Sequence, residues 1–469
     1  MREGAVDLAV IGSGPGGYAA ALAAARRGLS VALVERDRVG GVCLNVGCIP
    51  TKALLSVSHL VRRIRHAEAM GIRVEGAAVD YPAVVARSQR IVTTLRDGLT
   101  ELVRREGVEL VEGTAAFVTP HQLEITRGGS GTQPLHAQRI VIATGARPVP
   151  GPWAFDEERI LSYRGLLALK MQPASLLIIG GGVIGCEFAS VFSTFGSRVT
   201  IIEQQPQLLP AEEPDAVRLL MRRFQADGVT VVTGSTVAKL EKSDHGVCAI
   251  LADGTRHEAD YCLIAIGQRP NLDALHLSAA DIAHGRGVQV DAFLRTSQPH
   301  IAAIGDCIEG HGLAHWASTE GALAVRNLLG EPPASLEPSA VPRTIFTDPE
   351  IAHIGPLEST LGDSVRVSRF NFAALGKSHC DEETEGFVKL LVDPSTDRIR
   401  SATMVHANAS NLIHYAVLAY HHGLTARQLA ATITAHPTMP EAITEAAAHL
   451  YGESIMVASR RSRTPVTHA

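Results

Sequence analysis

Residues 5–17 read AVDLAVIGSGPGG, and residues 30–35 read SVALVE. An apolar run enters a glycine loop, a helix-forming stretch follows, and a second apolar run ends on an acid. The glycines are Gly12, Gly14 and Gly17; the acid, Glu35, comes 23 residues after the first of them (35 − 12). This is the pattern of a βαβ nucleotide-binding unit. The first glycine makes the tight turn, the second lets a pyrophosphate approach the backbone, and the third lets helix and strand pack closely. The phosphate rests on free N–H groups at the positive end of the helix, and the acid accepts from a ribose hydroxyl. One such loop is a weak signal, because a turn before any helix can look alike.

The spacing occurs twice. LLII (176–179) leads into Gly180, Gly182 and Gly185, and RVTIIE ends on Glu203, again 23 residues on (203 − 180). A second repeat accompanies the first: RIVIATGARP (139–148) and YCLIAIGQRP (261–270) are both buried-strand runs followed by Gly-x-Arg-Pro. Gly145 lies 133 residues after Gly12 (145 − 12), but Gly267 lies only 87 after Gly180 (267 − 180). The first fold therefore carries a long insertion, rich in helix formers, between about residues 50 and 108, and the compact second fold is inserted into the first. IAAIGDC (301–307) reads as a return to the first fold. From 342 the pattern changes: FVKLLVD and SATMVHA read as strands, and NLIHYAVLAYHHG and PEAITEAAAHLYG as helices, which makes a separate α+β unit. His421-His422 before Gly423 marks a helix end, where cations suit the dipole. The tail SRRSRTPVTHA is polar and is expected to fray. The fold class is α/β: two Rossmann-like dinucleotide folds and a C-terminal α+β domain, divided at 1–146, 147–270, 271–341 and 342–469.

Composition sets the outer bounds. A chain of 469 residues has room for roughly three domains. Its net charge of −5 gives no electrostatic reason to expect nucleic acid or an anionic membrane surface as partner. No signal peptide and no uninterrupted apolar run of membrane-spanning length is read, so no membrane insertion is expected. Seven Cys, five of them dispersed, argue for a reducing, cytoplasmic setting rather than a secreted disulfide framework.

The exception is the close pair in GGVCLNVGCIPTK (40–52), which begins five residues after Glu35 and so lies over the first nucleotide site. Cys43 and Cys48 are five apart and cannot bridge across an undistorted helix, whose face neighbours are three and four apart. Gly47 and Pro50 are expected to supply the distortion. A bridge closing so small a loop adds little stability. Thiol–disulfide exchange motivates it better. Two unrelated core Cys, or half of a metal site, are the alternatives; a metal site needs further Cys or His at short spacing, and none follows. No metal is expected. Cys186, Cys248, Cys262, Cys307 and Cys380 are read as small core residues.

GGVCLNVGCIPTK, the two glycine folds, IATG (142–145), AIGD (303–306) and TAHPTMPEA (434–442) together resemble the flavin-dependent disulfide reductases of the class I pyridine nucleotide-disulfide oxidoreductase family, and within it the dihydrolipoamide-oxidising branch. The likeness runs from residue 6 to about 452. It implies FAD on the first fold, NAD on the second, and a C-terminal dimer interface across which the His-Pro-Thr segment of one subunit completes the other's site. Carried onto this chain, Cys43 is the interchange thiol and Cys48 the thiol facing the flavin. Lys52 and Glu187 pair near the flavin's reactive nitrogen, and His436 is the base, oriented by Glu441. FAD is implied to meet Gly12, Gly14, Gly17, Glu35, Lys52, Ala115, Thr144, Gly145, Asp306 and Ala314, with Asp306 on the ribityl chain. NAD is implied to meet Gly180, Gly182, Gly185, Glu203, Val237 and Gly267.

Glu203 suits the 2′-hydroxyl of NAD and repels the 2′-phosphate of NADP, and Gln204, Gln205 and Pro206 offer no cation to hold that phosphate. The last Cys is Cys380, so the extra C-terminal pair of mercuric and large thioredoxin reductases is missing. FTDPEIAHIG (346–355) has the Pro-Glu form of the dihydrolipoamide branch. The resemblance thus implies oxidation of dihydrolipoyl groups to lipoyl disulfide with reduction of NAD, in a homodimer served by a lipoyl-bearing carrier of the 2-oxo-acid dehydrogenase or glycine cleavage type. An NAD(P)H-dependent reductase of another disulfide, quinone or metal, and a non-catalytic subunit that binds lipoyl carriers, are the rival readings. Three positions depart from the family pattern: Thr434 and Pro440 beside the His-Glu pair, and Trp316 where Lys is common.

Overall fold

The computed structural model describes residues 5–128, 131–310 and 312–458; the tail 459–469 lies outside the described residues. At the centre of the first sheet is the strand Ala5–Ile11. It pairs in parallel with Val31–Glu35 (Leu8 opposite Val31) and with Gly131–Ile142 (Ile11 opposite Ile142). Glu109–Glu112 extends one edge. On the other side, Gly131–Ile142 carries antiparallel Gln122–Arg127 toward its start and parallel Ile301–Ala303 toward its end. The chain therefore returns to its first sheet after residue 300, and the second nucleotide fold is an insertion. The parallel strands Ala5–Ile11, Val31–Glu35 and Ile301–Ala303 are mostly Val, Ile, Leu and Ala because both faces of the sheet are covered there.

The inserted fold repeats the plan on a smaller scale. Its parallel sheet runs Thr230–Val232, Arg198–Ile202, Ser175–Ile179, Tyr261–Ile264 and Ile160–Leu161, with a three-stranded antiparallel sheet beside it. The two Arg-Pro tails pair with each other: Ala146–Pro148 and Gln268–Pro270 form a two-stranded antiparallel sheet joining the folds. Arg147 stands directly opposite Arg269, an arrangement that repels unless offset. Asp273 offsets it by bonding both guanidinium groups.

The expected helical insertion is a pair of helices, Cys48–Arg65 and Tyr81–Arg105. The first lays Leu54 and Leu55 against Phe188 and Phe192 of the helix Val183–Phe195. Truncating either leucine to Ala costs about 2–5 kcal/mol. Arg62, Arg63 and Arg65 fill its last turn, where cations suit the helix dipole. Arg62 is buried and reaches Asp227 of the second fold and Asp348 of the C-terminal unit, both at 2.8 Å. Among the described residues, only Gly41–Arg65 has the length and mean hydropathy of a membrane span. It is two helices broken at Gly47, and Leu54, Leu55, Ser58 and Arg62 are buried inside the protein.

The C-terminal unit is a five-stranded antiparallel sheet, ordered Arg343–Ile345, Glu350–Ile354, Ile399–His406, Phe387–Val392 and Arg366–Asn371. The helices Ala409–His421 and Glu441–His449 pack on it, the first ending at His421 as its dihistidine suggests.

Candidate active site

One cleft of about 1980 Å³ receives both glycine loops, the redox segment and part of the C-terminal unit. Gly12 and Gly180 have φ of +98° and +109°. A side chain there would meet the carbonyl oxygens of Ala143 and Ala265 at 2.4 and 2.5 Å. A Cβ on Gly17 or Gly185 would stand 1.8 or 2.1 Å from the carbonyl oxygen of Gly12 or Gly180. These two glycines set helix–strand distance and do not line the cleft. Gly14 and Gly182 do line it, and a Cβ on either would meet nothing within 4 Å. They form the floor of a cradle that a side chain would fill.

Each acid is tied to its own loop. Glu35 accepts from the backbone N–H and the hydroxyl of Ser13, at 2.9 and 2.6 Å. Glu203 is buried and accepts from Gly181 N–H at 2.6 Å and Gln205 N–H at 2.7 Å. A carboxylate keeps further lone pairs for a ribose hydroxyl. Ser13 escaped the sequence reading; its position one residue past the first glycine was the available signal. Ala115, Thr144, Gly145, Asp306 and Ala314 border the first loop's side of the cleft, and Val237 and Gly267 the second's. Asp306 is pushed above the usual carboxylate range by burial, which leaves it suited to polar hydroxyls of a ligand.

This donor set fits FAD and NAD. Two separate N–H cradles each stand before a helix N-terminus. Each has an acid one strand away, and the redox pair opens onto the same cleft.

Cys43 lies on the short helix Gly41–Val46, and Cys48 opens the helix Cys48–Arg65. Gly47 breaks the two, with φ −132° and ψ −110°. A Cβ on Gly47 would sit 2.9 Å from Val42 O and 3.2 Å from Cys43 Cα, so only glycine allows the turns to fold this closely. Pro50 is not part of the distortion. It lies in the first turn of the second helix, where its missing N–H has no partner to lose. Asn45 anchors the start of the short helix by donating to Val39 O and Gly41 O at 3.0 and 2.9 Å. Both cysteines are free thiols that line the cleft. The Cys43 S–H, donated to its neighbour, lowers Cys48 to about 7, with the Lys52 cation helping against burial. Cys43 is pushed up by that same bond and by burial.

Lys52, one turn after Cys48, donates to both oxygens of the buried Glu187 at 2.9 and 2.8 Å. Glu187 also accepts from Phe346 N–H at 3.0 Å, and the Phe346 ring centroid lies 4.6 Å from Lys52 Nζ. Phe346 belongs to the C-terminal unit, so three parts of the chain fix this pair. Its contribution escaped the sequence reading because a backbone N–H carries no residue signature.

His436 and Glu441 meet, with Nδ1 2.9 Å from Oε2, and Glu441 also accepts from Thr438 N–H at 2.5 Å. Burial works against ionisation of Glu441, but these bonds to His436 and Thr438 hold it below the usual carboxylate range. The dyad does not join the cleft of its own chain: the His436 side chain is 74% exposed.

Among the described residues, no group of three or more His, Cys, Asp or Glu is placed to hold a metal. Cys186, Cys248, Cys262 and Cys307 are buried; burial pushes Cys307 up to about 12. Cys380 departs from its core assignment. It ends the short surface helix Gly376–Cys380 and is exposed.

With two nucleotide cradles and a thiol pair in one cleft, the protein is of the nucleotide-binding disulfide oxidoreductase class. The family profile described as pyridine nucleotide-disulphide oxidoreductase matches residues 6–321, and that of the family's dimerisation domain matches 341–447. The chain belongs to this family. It is 39% identical to a dihydrolipoyl dehydrogenase of Bacillus subtilis (strain 168) over 452 residues, 94% of this chain and 98% of that one. It is also 39% identical to a dihydrolipoyl dehydrogenase of Geobacillus stearothermophilus, over 97% of this chain and 98% of that one. Among solved structures it is similar to LpdA of Mycobacterium tuberculosis (TM-score 0.89, 30% identity, covering 95% and 100%). It is also similar to the HOCl-induced flavoprotein disulfide reductase RclA of Escherichia coli (TM-score 0.86 in its Cu(II) complex, 28% identity, covering 94% and 99%).

Proposed function

We propose that this protein is a dihydrolipoyl dehydrogenase, which oxidises a dihydrolipoyl dithiol to the cyclic disulfide and reduces NAD to NADH. The observation that carries this reading is the Cys43–Cys48 pair beside the Lys52–Glu187 ion pair in a cleft shared by both nucleotide loops.

In the oxidised enzyme the two cysteines form a disulfide. His436, its ring held by Glu441, takes a proton from one substrate thiol, because the thiolate is the nucleophile. That thiolate attacks Cys43 and releases Cys48 as thiolate. The second substrate thiol then attacks the first substrate sulfur, its proton passing to the departing Cys43 sulfur while His436 keeps the first. The cyclic disulfide leaves, and Cys43 departs as a thiol. Cys48 retains the negative charge, stabilised by the Cys43 S–H and by Lys52. FAD, when bound, supplies the hydride chemistry that carries the electron pair from this thiolate to NAD. Gly12, Gly14 and Asp306 hold the flavin nucleotide, and Gly180, Gly182 and Glu203 hold NAD. Glu203 favours the 2′-hydroxyl over a 2′-phosphate.

The enzyme works as a homodimer. The dimerisation-domain match and the exposed dyad support this: His436 is outside its own cleft and is free to enter a second copy's. The partner substrate is a lipoyl group on a carrier of the 2-oxo-acid dehydrogenase or glycine cleavage type. The dispersed cysteines suit a reducing cytoplasm.

A steady-state comparison of dihydrolipoamide with NAD against glutathione disulfide with NADH or NADPH tests the assignment. NADH formation from dihydrolipoamide with little glutathione disulfide reduction is expected. Faster NADPH-dependent reduction of glutathione disulfide would overturn it.

A further inference from the structure

Glu320 lies behind the cleft wall on the helix Ala314–Leu328, and the mechanism above makes no use of it. Glu320 is 2% exposed, and its Oε2 accepts from Gly305 N–H at 2.6 Å. Trp316, one turn earlier on the same helix, also donates to it. Gly305 opens a single 3-10 turn, Gly305–Cys307, whose middle residue is Asp306 on the cleft surface. Gly305 has φ +67°, and a Cβ there would stand 3.2 Å from the Ala317 Cβ. The turn thus leans on this helix through both Glu320 and Ala317.

A buried carboxylate beside a second acid is expensive. Burial, with the Asp306 charge adding to it, pushes Glu320 up to about 7, while the N–H groups of Gly305 and Trp316 pull the other way. An apolar side chain would pack without that cost, but it would leave the part-buried Gly305 N–H without its acceptor. The carboxylate is therefore explained by the turn it holds. The same helix packs tightly on Pro15–Ala25 of the first nucleotide fold: a Cβ on Gly321 would lie 2.3 Å from Gly16 O. One helix thus braces both the first nucleotide cradle and the Asp306 turn.

We propose that Glu320 is a positioning residue for the flavin site, acting through Gly305 to fix the turn that carries Asp306, and that Trp316 orients Glu320 for this role. The proposal rests on Asp306 being a flavin contact. The strength of the flavin grip is then set partly from outside the cleft.

The test is FAD affinity of the apoprotein, read by flavin fluorescence on titration, with thermal unfolding of the same samples. Glu320→Ala should weaken FAD binding about tenfold or more, the scale of a lost charge-assisted hydrogen bond. Glu320→Gln keeps an acceptor for Gly305 and should stay within about threefold of the parent. Because Glu320 acts through Asp306, adding Glu320→Ala to Asp306→Asn should cost less than about a further twofold. Fully additive losses, or unchanged affinity in Glu320→Ala, would overturn the proposal. Should Glu320→Ala fail to fold, Trp316→Phe takes its place: a weakening of about threefold that vanishes in the Asp306→Asn background supports the relay. No weakening, or equal weakening in both backgrounds, contradicts it. Full FAD affinity in Asp306→Asn alone would end the underlying reading of Asp306, and the proposal with it.

Discussion

The two nucleotide folds share a spacing to the residue and differ in what leans on it. In both, the acid bonds the residue after the first glycine: Glu35 to Ser13, Glu203 to Gly181. In the second fold the loop is closed by its own neighbours, and a Cβ on Gly181 would fall 2.3 Å from Leu208 Cδ2. In the first, the redox segment presses on the loop: Gly40 N–H donates to Ser13 O at 3.0 Å, and a Cβ on Gly41 would lie 2.7 Å from Gly14 Cα. The first loop is thus both a nucleotide cradle and the seat of the thiol pair. The second is a cradle alone. One duplicated unit serves two roles, and the division is made by the segment that follows the first acid.

The largest expected effect falls on the thiols that make the folds unequal. Cys43→Ser should abolish NADH formation from dihydrolipoamide while the visible flavin absorbance persists. Retained turnover would contradict the relay. His436→Gln should lower kcat by about 10²–10⁴, the range for a lost acid–base group; a change under threefold would remove His436 from that role. The cradles themselves can be separated. Gly14→Val should release FAD, whereas Gly182→Val should keep FAD and weaken NADH binding at least about tenfold, or ~1.4 kcal/mol. Loss of FAD in both variants would show that the loops are not independent.

The last effect falls on stability and concerns pH. Glu320 rises from 4.5 to about 7 in the folded chain. Between those values the folded chain holds a proton that the unfolded chain has released, so stability falls as pH rises through that window. Above pH 7 the cost is roughly 3 kcal/mol at most. Glu320→Gln should therefore unfold at a higher temperature than the parent at pH 8 and match it near pH 4. The same difference at both pH values would contradict the titration.

Much of this was legible in the sequence because nucleotide folds write themselves locally. Glycines at fixed offsets, two apolar strands and a terminal acid all fall within residues 5–35, and the insertion follows from unequal distances between the repeats. The His-Glu dyad was legible for the same reason, its two members lying only five positions apart. Contacts between distant segments were not. Phe346 N–H reaches Glu187 across 159 residues, and Arg147 pairs opposite Arg269, a juxtaposition that charge rules disfavour until Asp273 is seen between them. Pro50 misled because proline commonly breaks helices, yet at the first turn it is tolerated. The exposure of Cys380 was hidden because cysteine is so often a core residue.

The central claim is that Cys48, freed as a thiolate by substrate attack on Cys43, faces a bound flavin. Anaerobic titration of the holoenzyme with dihydrolipoamide, followed by visible absorbance, tests it most directly. A long-wavelength thiolate–flavin band that grows with substrate and is absent in Cys48→Ser is the predicted result. A flavin spectrum that bleaches with no such band, or a band that survives Cys48→Ser, would contradict it.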